Sequence, residues 1–268
     1  MNGIVLTDSL IMLRRTLRRM RRYPSLTLFI AGIPVVLLLL FVYVFGATLG
    51  AGLPGPSAAE GGLEAYIAYV VPGILLITVA GAAQGTAISV AMDMTTGIIA
   101  RFRTMAIARA SVLTGHVIGA LIQTMLATLL VLVVAVVMGF RPSTGPLEWL
   151  AAAGLLALTA VAISWLSVAL GLSADSVETA SNTPMFLLLL PFLSSGFVPA
   201  ESMAGPLAWF AEHQPFTPII ETLRGLLTGT PIGTSGPVAI AWCAVLSVAG
   251  YLWARRLYER VPAATTTA

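Results

Sequence analysis

The chain has 268 residues, of which 58% are hydrophobic and only 9% charged, and its formal net charge is +3. Soluble domains carry roughly a quarter charged residues, so this composition excludes an ordinary soluble domain and indicates a membrane protein. All basic residues are arginine, which excludes a P-loop ATPase site and Schiff-base chemistry, because both need a lysine. A single cysteine, Cys243, excludes an intrachain disulfide, and we expect it to be a small buried hydrophobic residue.

Residues 1–24 form an amphipathic segment. An apolar stripe at helical spacing consists of Leu6, Leu10, Leu13 and Leu17. Six arginines crowd its end, namely Arg14, Arg15, Arg18, Arg19, Arg21 and Arg22. This pattern predicts an interfacial helix on the cytoplasmic leaflet. A secretory signal peptide is disfavoured, because the apolar run that follows is longer than a signal core and no clear cleavage site follows it.

Long apolar runs predict six transmembrane helices, since about 20 apolar residues cross a bilayer as a helix. The predicted spans lie near residues 26–49, 69–92, 117–140, 149–173, 183–198 and 238–254. The predicted fold is an all-α membrane protein. Residues 25–256 form its six-helix transmembrane domain, and residues 257–268 form a disordered cytoplasmic tail.

The distribution of arginine predicts the orientation. Residues 1–24, the 93–116 connection and the C-terminal tail together hold twelve of the fourteen arginines, and the other connections hold only Arg141 and Arg224. Cytoplasmic connections are enriched in arginine and lysine. We therefore expect both termini and the 93–116 connection to be cytoplasmic, together with the short loop at residues 175–178.

The connection at residues 93–115 combines charge with an apolar face. Ile98, Phe102 and Met105 follow i, i+4, i+7 and share one face of a short helix. The arginines of the same stretch are Arg101, Arg103 and Arg109. From residue types alone, two interpretations are open: a helix that lies on lipid headgroups, or a contact site for a soluble partner.

A second short amphipathic pattern lies in residues 199–236. Its apolar face consists of Phe216, Ile219, Ile220, Leu223, Leu226 and Leu227. The face covers about three turns, which is too short to cross a membrane. Glu221 and Arg224 lie on the other side, three residues apart, where we expect them to pair. We predict two short helices, near residues 204–212 and 216–227, that re-enter the outer leaflet; the alternative is a helix lying flat outside it.

Asp, Glu, Lys and Arg are absent from the interiors of the predicted spans. Ion-coupled transporters usually keep such residues at membrane depth, and hydrolases need a catalytic cluster, so both classes are disfavoured. We expect His116 and His213 to be solvated or capping residues rather than ligands. Small residues that allow close helix packing are expected at Gly81, Gly85, Gly115 and Gly119.

The sequence resembles the type-2 permease subunits of ATP-binding-cassette exporters, close to the daunorubicin-resistance branch. Three stretches carry the resemblance. Residues 71–115 read VPGILLITVAGAAQGTAISVAMDMTTGIIARFRTMAIARASVLTG, and residues 136–142 read VVMGFRP. Residues 192–229 read FLSSGFVPAESMAGPLAWFAEHQPFTPIIETLRGLLTG.

The resemblance implies a coupling helix that contacts a separate ATPase subunit. The residues it implies for this contact are Gly97, Arg101, Phe102, Arg103, Met105 and Arg109. It also implies an extracytoplasmic re-entrant exit segment, formed by Phe216, Ile219, Ile220, Leu223, Glu221 and Arg224. The chain itself is expected to bind no cofactor, with ATP and Mg held by the ATPase. Other expected partners are a second permease copy, identical or related, and membrane lipids, but no nucleic acid.

We therefore expect a multi-pass subunit of a bacterial cell-membrane exporter, without catalysis of its own, that moves a hydrophobic or amphipathic drug, lipid or glycolipid. Apolar walls favour such cargo over sugars or ions. The alternative is a non-transporting scaffold or a stand-alone membrane enzyme. A scaffold would purify alone and stimulate no partner's ATP hydrolysis.

Overall fold

The structure is a computed structural model that describes residues 24–46, 62–96 and 109–260. In these ranges the regular structure is helical. The first helices are α1 (Pro24–Leu40), which continues as a π-helical turn (Phe41–Phe45), α2 (Gly62–Thr95), α3 (Arg109–Val137) and α4 (Pro146–Ser173). Then come α5 (Val177–Asn182), α6 (Met185–Leu189), a 3-10 turn (Ala200–Ser202), α7 (Gly205–His213), α8 (Phe216–Thr228) and α9 (Ser235–Arg260). The predicted interfacial helix at residues 1–24 lies outside the described residues, apart from Pro24.

Four of the described helices are long and apolar enough to cross a membrane, namely α2, the part of α3 from Leu113 to Val137, α4 and α9. They correspond to four of the six predicted spans. The apolar part of the first predicted span is shorter, covering Ile30–Phe45. The all-helical, membrane-spanning class of the prediction is thus confirmed, whereas the number of six spans stays a prediction.

The predicted fifth span, residues 183–198, is not one continuous helix. It consists of α6 followed by hydrogen-bonded turns up to Phe197. Pro191 follows α6 closely and supplies no backbone N–H, and its ring clashes with the carbonyl four residues earlier. The apolar run predicted that this segment crosses the membrane, but it did not predict the break in its helix.

Helices α2 and α4 form the centre of the bundle. Their most apolar stretches are mostly buried, whereas only 33% and 22% of the corresponding stretches of α3 and α9 are buried. Helix α4 packs on α2, α3 and α9, and α2 also packs on α1 and α3. The two inner helices thus connect the exposed outer helices to one another.

Close approach between inner helices depends on glycines other than the predicted ones. A Cβ on Gly171 of α4 would lie 2.6 Å from the carbonyl oxygen of Ala87 on α2. By contrast, a Cβ on Gly81 would meet only Leu188, at 3.8 Å, and one on Gly85 would meet no atom of the described residues within 4 Å. Within the described residues of one chain, Gly81 and Gly85 therefore do not lie at a close helix contact, because sequence shows that a residue is small but not which face it occupies.

We predict that Gly171→Ala destabilises the protein, because a methyl group inserted against the α2 backbone forces the helices apart. Overpacking of this kind costs about 1–3 kcal/mol. The matched control is Gly154→Ala in the same helix, where an added Cβ meets nothing within 4 Å and the helix propensity of alanine stabilises by up to ~1 kcal/mol. Thermal unfolding of the two variants in detergent should shift in opposite directions; a parallel shift would contradict the prediction.

Helix α9 is longer at its C-terminal end than predicted. It continues to Arg260, and Tyr258 is only 2% exposed. Residues 257–260 therefore do not belong to a disordered tail, because Tyr258 packs into an apolar cluster with Ala254. The prediction for residues 261–268 falls outside the described residues.

Candidate functional site

Most of the predicted ATPase contact falls outside the described residues. This applies to Gly97, Arg101, Phe102, Arg103 and Met105. Arg109 is the first residue of α3, although its side chain is not among those described. The structure does describe the last turns of α2 and the first turns of α3, which flank the segment on both sides.

The flanking turns lie in a small apolar core at one end of the bundle. Its buried members are Val90, Leu113, Val117, Val168, Ala169, Leu172, Ala254 and Tyr258. These residues come from the C-terminal ends of α2, α4 and α9 and from the N-terminal part of α3. The C-terminal ends of α2, α4 and α9 and the beginning of α3 therefore lie at the same end of the bundle.

A contact between an imidazole and a carboxyl group joins α2 to α3 beside this core. Nε2 of His116 lies 3.2 Å from Oδ2 of Asp93, and the two side chains are 15% and 9% exposed. The prediction of a solvated or capping His116 was wrong in that the imidazole is largely buried against a carboxylate. His213 is exposed, and its Nδ1 lies 2.8 Å from the carbonyl oxygen of Trp209.

The second predicted site is at the opposite end of the bundle. Helices α7 and α8 occur within two residues of their predicted bounds. The apolar face of α8 is buried, with Phe216, Ile219, Ile220 and Leu223 at most 1% exposed. This face packs in the main core with the N-terminal half of α2 and the end of α1. Helix α8 is thus an integral part of the bundle rather than a helix lying on its surface.

Arg224 binds backbone carbonyls rather than its predicted partner. Its guanidinium donates to the carbonyl oxygens of Tyr69, at 3.2 and 3.4 Å, and Ser195, at 2.8 Å. It also lies 3.8 Å from the centre of the Tyr69 ring. Glu221 instead accepts a hydrogen bond from the hydroxyl of Ser235 at 2.7 Å. The predicted Glu221–Arg224 ion pair was therefore wrong, because the carbonyl groups of α2 and the 191–197 turns lie closer.

Further hydrogen bonds hold these turns to the start of α8. The Tyr69 hydroxyl donates to the Ser195 carbonyl at 2.9 Å, and the Ser195 amide donates to the Thr217 hydroxyl at 3.4 Å. The Gln214 side chain spans the gap between α7 and α8 and donates to the Leu190 carbonyl at 3.3 Å. The broken segment after α6 is thus held by α2 and by the start of α8.

An aromatic stack connects α1 to the same turns. The rings of Phe41 and Phe197 are stacked at 4.4 Å between centroids, and those of Phe192 and Phe197 at 5.2 Å. Phe41 opens the π-helical turn of α1, a local geometry that is frequent at functional sites. Sequence reasoning missed this contact, because phenylalanines in apolar runs give no signal of their partners.

Cys243 is buried, as predicted, and its Sγ lies 3.5 Å from the Thr159 hydroxyl. Among the polar residues of the predicted spans, Gln84 makes an interhelical hydrogen bond, donating to the Ser181 carbonyl at 2.9 Å. Such bonds are ordinary in membrane bundles. We assign neither residue a role beyond packing.

The fold thus defines a multi-pass helical membrane protein with a short packed helix pair at one end. The chain belongs to the ABC-2 type transporter family, whose model matches residues 7–228. It is 27% identical over 217 residues to the daunorubicin resistance ABC transporter permease protein DrrB1 of Streptomyces coeruleorubidus, over 81% of this chain and 73% of the relative. It is also 27% identical over 214 residues to the probable doxorubicin resistance ABC transporter permease protein DrrC of Mycobacterium tuberculosis, over 80% of this chain and 76% of the relative.

These findings confirm the predicted class. The chain is a transmembrane permease subunit of an ABC exporter in the bacterial membrane. It is not itself an enzyme, because ATP is hydrolysed by a separate subunit of the exporter. An ATP-binding subunit is therefore its partner.

Proposed function

We propose that this permease moves a hydrophobic or amphipathic drug out of the cytoplasm or the inner leaflet. The observation that carries the proposal is the family match over residues 7–228, together with relatives whose names refer to daunorubicin and doxorubicin resistance. The apolar composition of the bundle supports cargo with a large apolar surface. A lipid or glycolipid shares that surface, and the names of the relatives favour a drug over either.

In the proposed topology, six spans cross the membrane and both termini are cytoplasmic. Helix α1 with its π-helical turn supplies the first span, and residues 183–198 supply the fifth as a broken segment. The end of α2, the beginning of α3 and the C-terminal end of α9 lie at the same end of the bundle. Arginines are concentrated in the sequence next to these helix ends. This supports the proposed orientation, because arginine-rich segments stay in the cytoplasm. Helices α7 and α8 then enter from the opposite, extracytoplasmic side and shape the exit.

The ATPase subunit contacts residues 97–109 in this proposal. Arg101 and Arg103 supply charge for an acidic surface of the ATPase, and Phe102 and Met105 supply an apolar face. ATP and Mg²⁺ are bound by that subunit rather than by the permease. Residues 1–24 lie alongside as an interfacial helix near the same partner.

A second permease copy completes the conduit in the proposed assembly. Large apolar side chains remain exposed on the outer helices, for example Val36 and Tyr43 of α1 and Val133 of α3. Lipid tails cover part of this surface, and a second copy covers the rest. The copy is identical or a related permease.

Co-purification tests the function directly. We expect the tagged permease to bring down an ATPase subunit, and the complex in vesicles to hydrolyse ATP and to transport doxorubicin. The matched control is the same complex with the P-loop lysine of the ATPase replaced by alanine, which should bind but not transport. A permease that purifies alone and leaves ATP hydrolysis unchanged would support a scaffold and refute the proposal.

A further inference from the structure

The Asp93–His116 pair joins the end of α2 to the beginning of α3, the two helices that flank the proposed ATPase contact in the sequence. Asp93 is in the last turn of α2, and His116 lies about two turns into α3, at 3.6 residues per turn. In the sequence, residues 97–108 connect these two helices. The pair therefore bridges the only two helices that are covalently joined to this segment.

The apolar neighbours of the pair are packed. Val90 lies one turn before Asp93 on α2, and Leu113 lies one turn before His116 on α3. Both are at most 3% exposed and belong to one core with Leu172 of α4 and Tyr258 of α9. The pair thus lies beside a core that joins the ends of four helices.

Burial makes this contact different from the other ion pair of the described residues. Arg255 and Glu259 are 57% and 47% exposed and belong to the same helix, and exposed pairs of this kind contribute little. Asp93 is buried, and removing a hydrogen-bond partner from a buried polar group is unfavourable. The interaction therefore favours one relative position of α2 and α3 at their shared end.

We propose that the Asp93–His116 pair is a positioning device that couples residues 97–108 to the bundle. By holding the ends of α2 and α3 together, it makes a displacement of the segment move both helices as one body. Without the pair, the ends of α2 and α3 are no longer held together, and ATP hydrolysis continues without driving export. This inference rests on the proposed function and adds the residues that transmit the motion.

Two substitutions of similar size at one position test the proposal. His116→Gln keeps an N–H that can donate to the Asp93 carboxylate, whereas His116→Leu does not. In vesicles containing the permease and its ATPase, we expect the Leu variant to export roughly tenfold less per ATP hydrolysed, and the Gln variant to stay within about twofold of the unsubstituted chain. The probe is whichever of doxorubicin or a fluorescent phospholipid the unsubstituted complex moves. Equal export per ATP in both variants would overturn the proposal.

An exchange of the two residues adds a second, independent comparison. Asp93→His places two imidazoles together, and combining it with His116→Asp restores a carboxylate–imidazole pair. We expect the combination to recover export that the single change loses; if it recovers none, the proposal fails. This comparison also tests the proposal if the His116→Leu variant does not accumulate in the membrane.

The control exchanges the exposed pair, Arg255→Glu with Glu259→Arg, and should leave export per ATP unchanged. Loss of coupling in this control as well would show that any ion pair at this end has the same effect, which contradicts the specific role. Failure of the unsubstituted complex to move either probe would instead count against the proposed function. The two failures are therefore distinguishable.

Discussion

We expect that replacing Arg101 and Arg103 together by glutamate abolishes export and the recovery of the ATPase subunit with the permease. The double change alters the charge of the short segment by four units, so the acidic surface proposed to bind the arginines is repelled instead. Charge pairs that are close across an interface contribute about 1.5–7 kcal/mol, and reversing two of them removes most of a typical affinity. Pull-down of the ATPase and doxorubicin export measure the two effects.

The matched control reverses two arginines at the same end of the bundle but outside the proposed contact. Arg256 and Arg260 are exposed near the end of α9, and their replacement by glutamate makes the same change in net charge. We expect this variant to bind the ATPase and to export normally. Full complex formation by the Arg101 and Arg103 variant would show that this segment is not the contact, and would leave the lipid-headgroup interpretation of its arginines.

We expect that replacing Arg224 by methionine destabilises the end of the bundle that contains α7 and α8. The methionine fills much of the same space, but it leaves the Tyr69 and Ser195 carbonyl groups without the guanidinium that donates to both. Hydrogen bonds to charged groups contribute about 1.5–3 kcal/mol each, and the contact with the Tyr69 ring adds about 0.5–2 kcal/mol. We expect a loss of several kcal/mol in the free energy of unfolding, measured as a lower melting temperature in detergent.

Arg224→Lys should recover only part of this stability, because one ammonium group cannot reproduce the planar fork that reaches both carbonyls. The control is Arg141→Met, which makes the same chemical change at an exposed position of the α3–α4 connection and should shift the melting temperature little. Equal shifts for Arg141→Met and Arg224→Met would mean that the carbonyl contacts do not stabilise the segment.

Much of the fold follows from one-dimensional features of the sequence. Apolar runs predicted α2, α3, α4 and α9 to within a few residues at most ends, because the thickness of a bilayer specifies the length of an apolar helix. Helical periodicity likewise predicted α8, whose apolar face is buried. The broken residues 183–198 show the limit of this reasoning, since the length of an apolar run carries no information about backbone breaks.

By contrast, the sequence did not predict the hydrogen-bond partners of the polar residues. Glu221 was the neighbour in sequence that suggested a pair for Arg224, yet the carbonyl of Tyr69 lies 155 positions away in the chain. His116 was predicted to be a solvated or capping residue, but the packing of α2 against α3 places it next to Asp93. Helix packing shows the same limit, because Gly171 and not Gly81 faces the backbone of another inner helix.

Three properties follow from the amino-acid sequence alone: this protein crosses the membrane several times, lacks its own P-loop and resembles the permeases of ABC exporters. Composition, run length and motif order are sufficient for these conclusions, since the bilayer selects apolar length without regard to packing. The pairing of buried polar groups, by contrast, depends on how the helices pack in three dimensions. A buried donor or charge must find a partner in a medium without water, and that partner is whichever group the packed helices bring within reach.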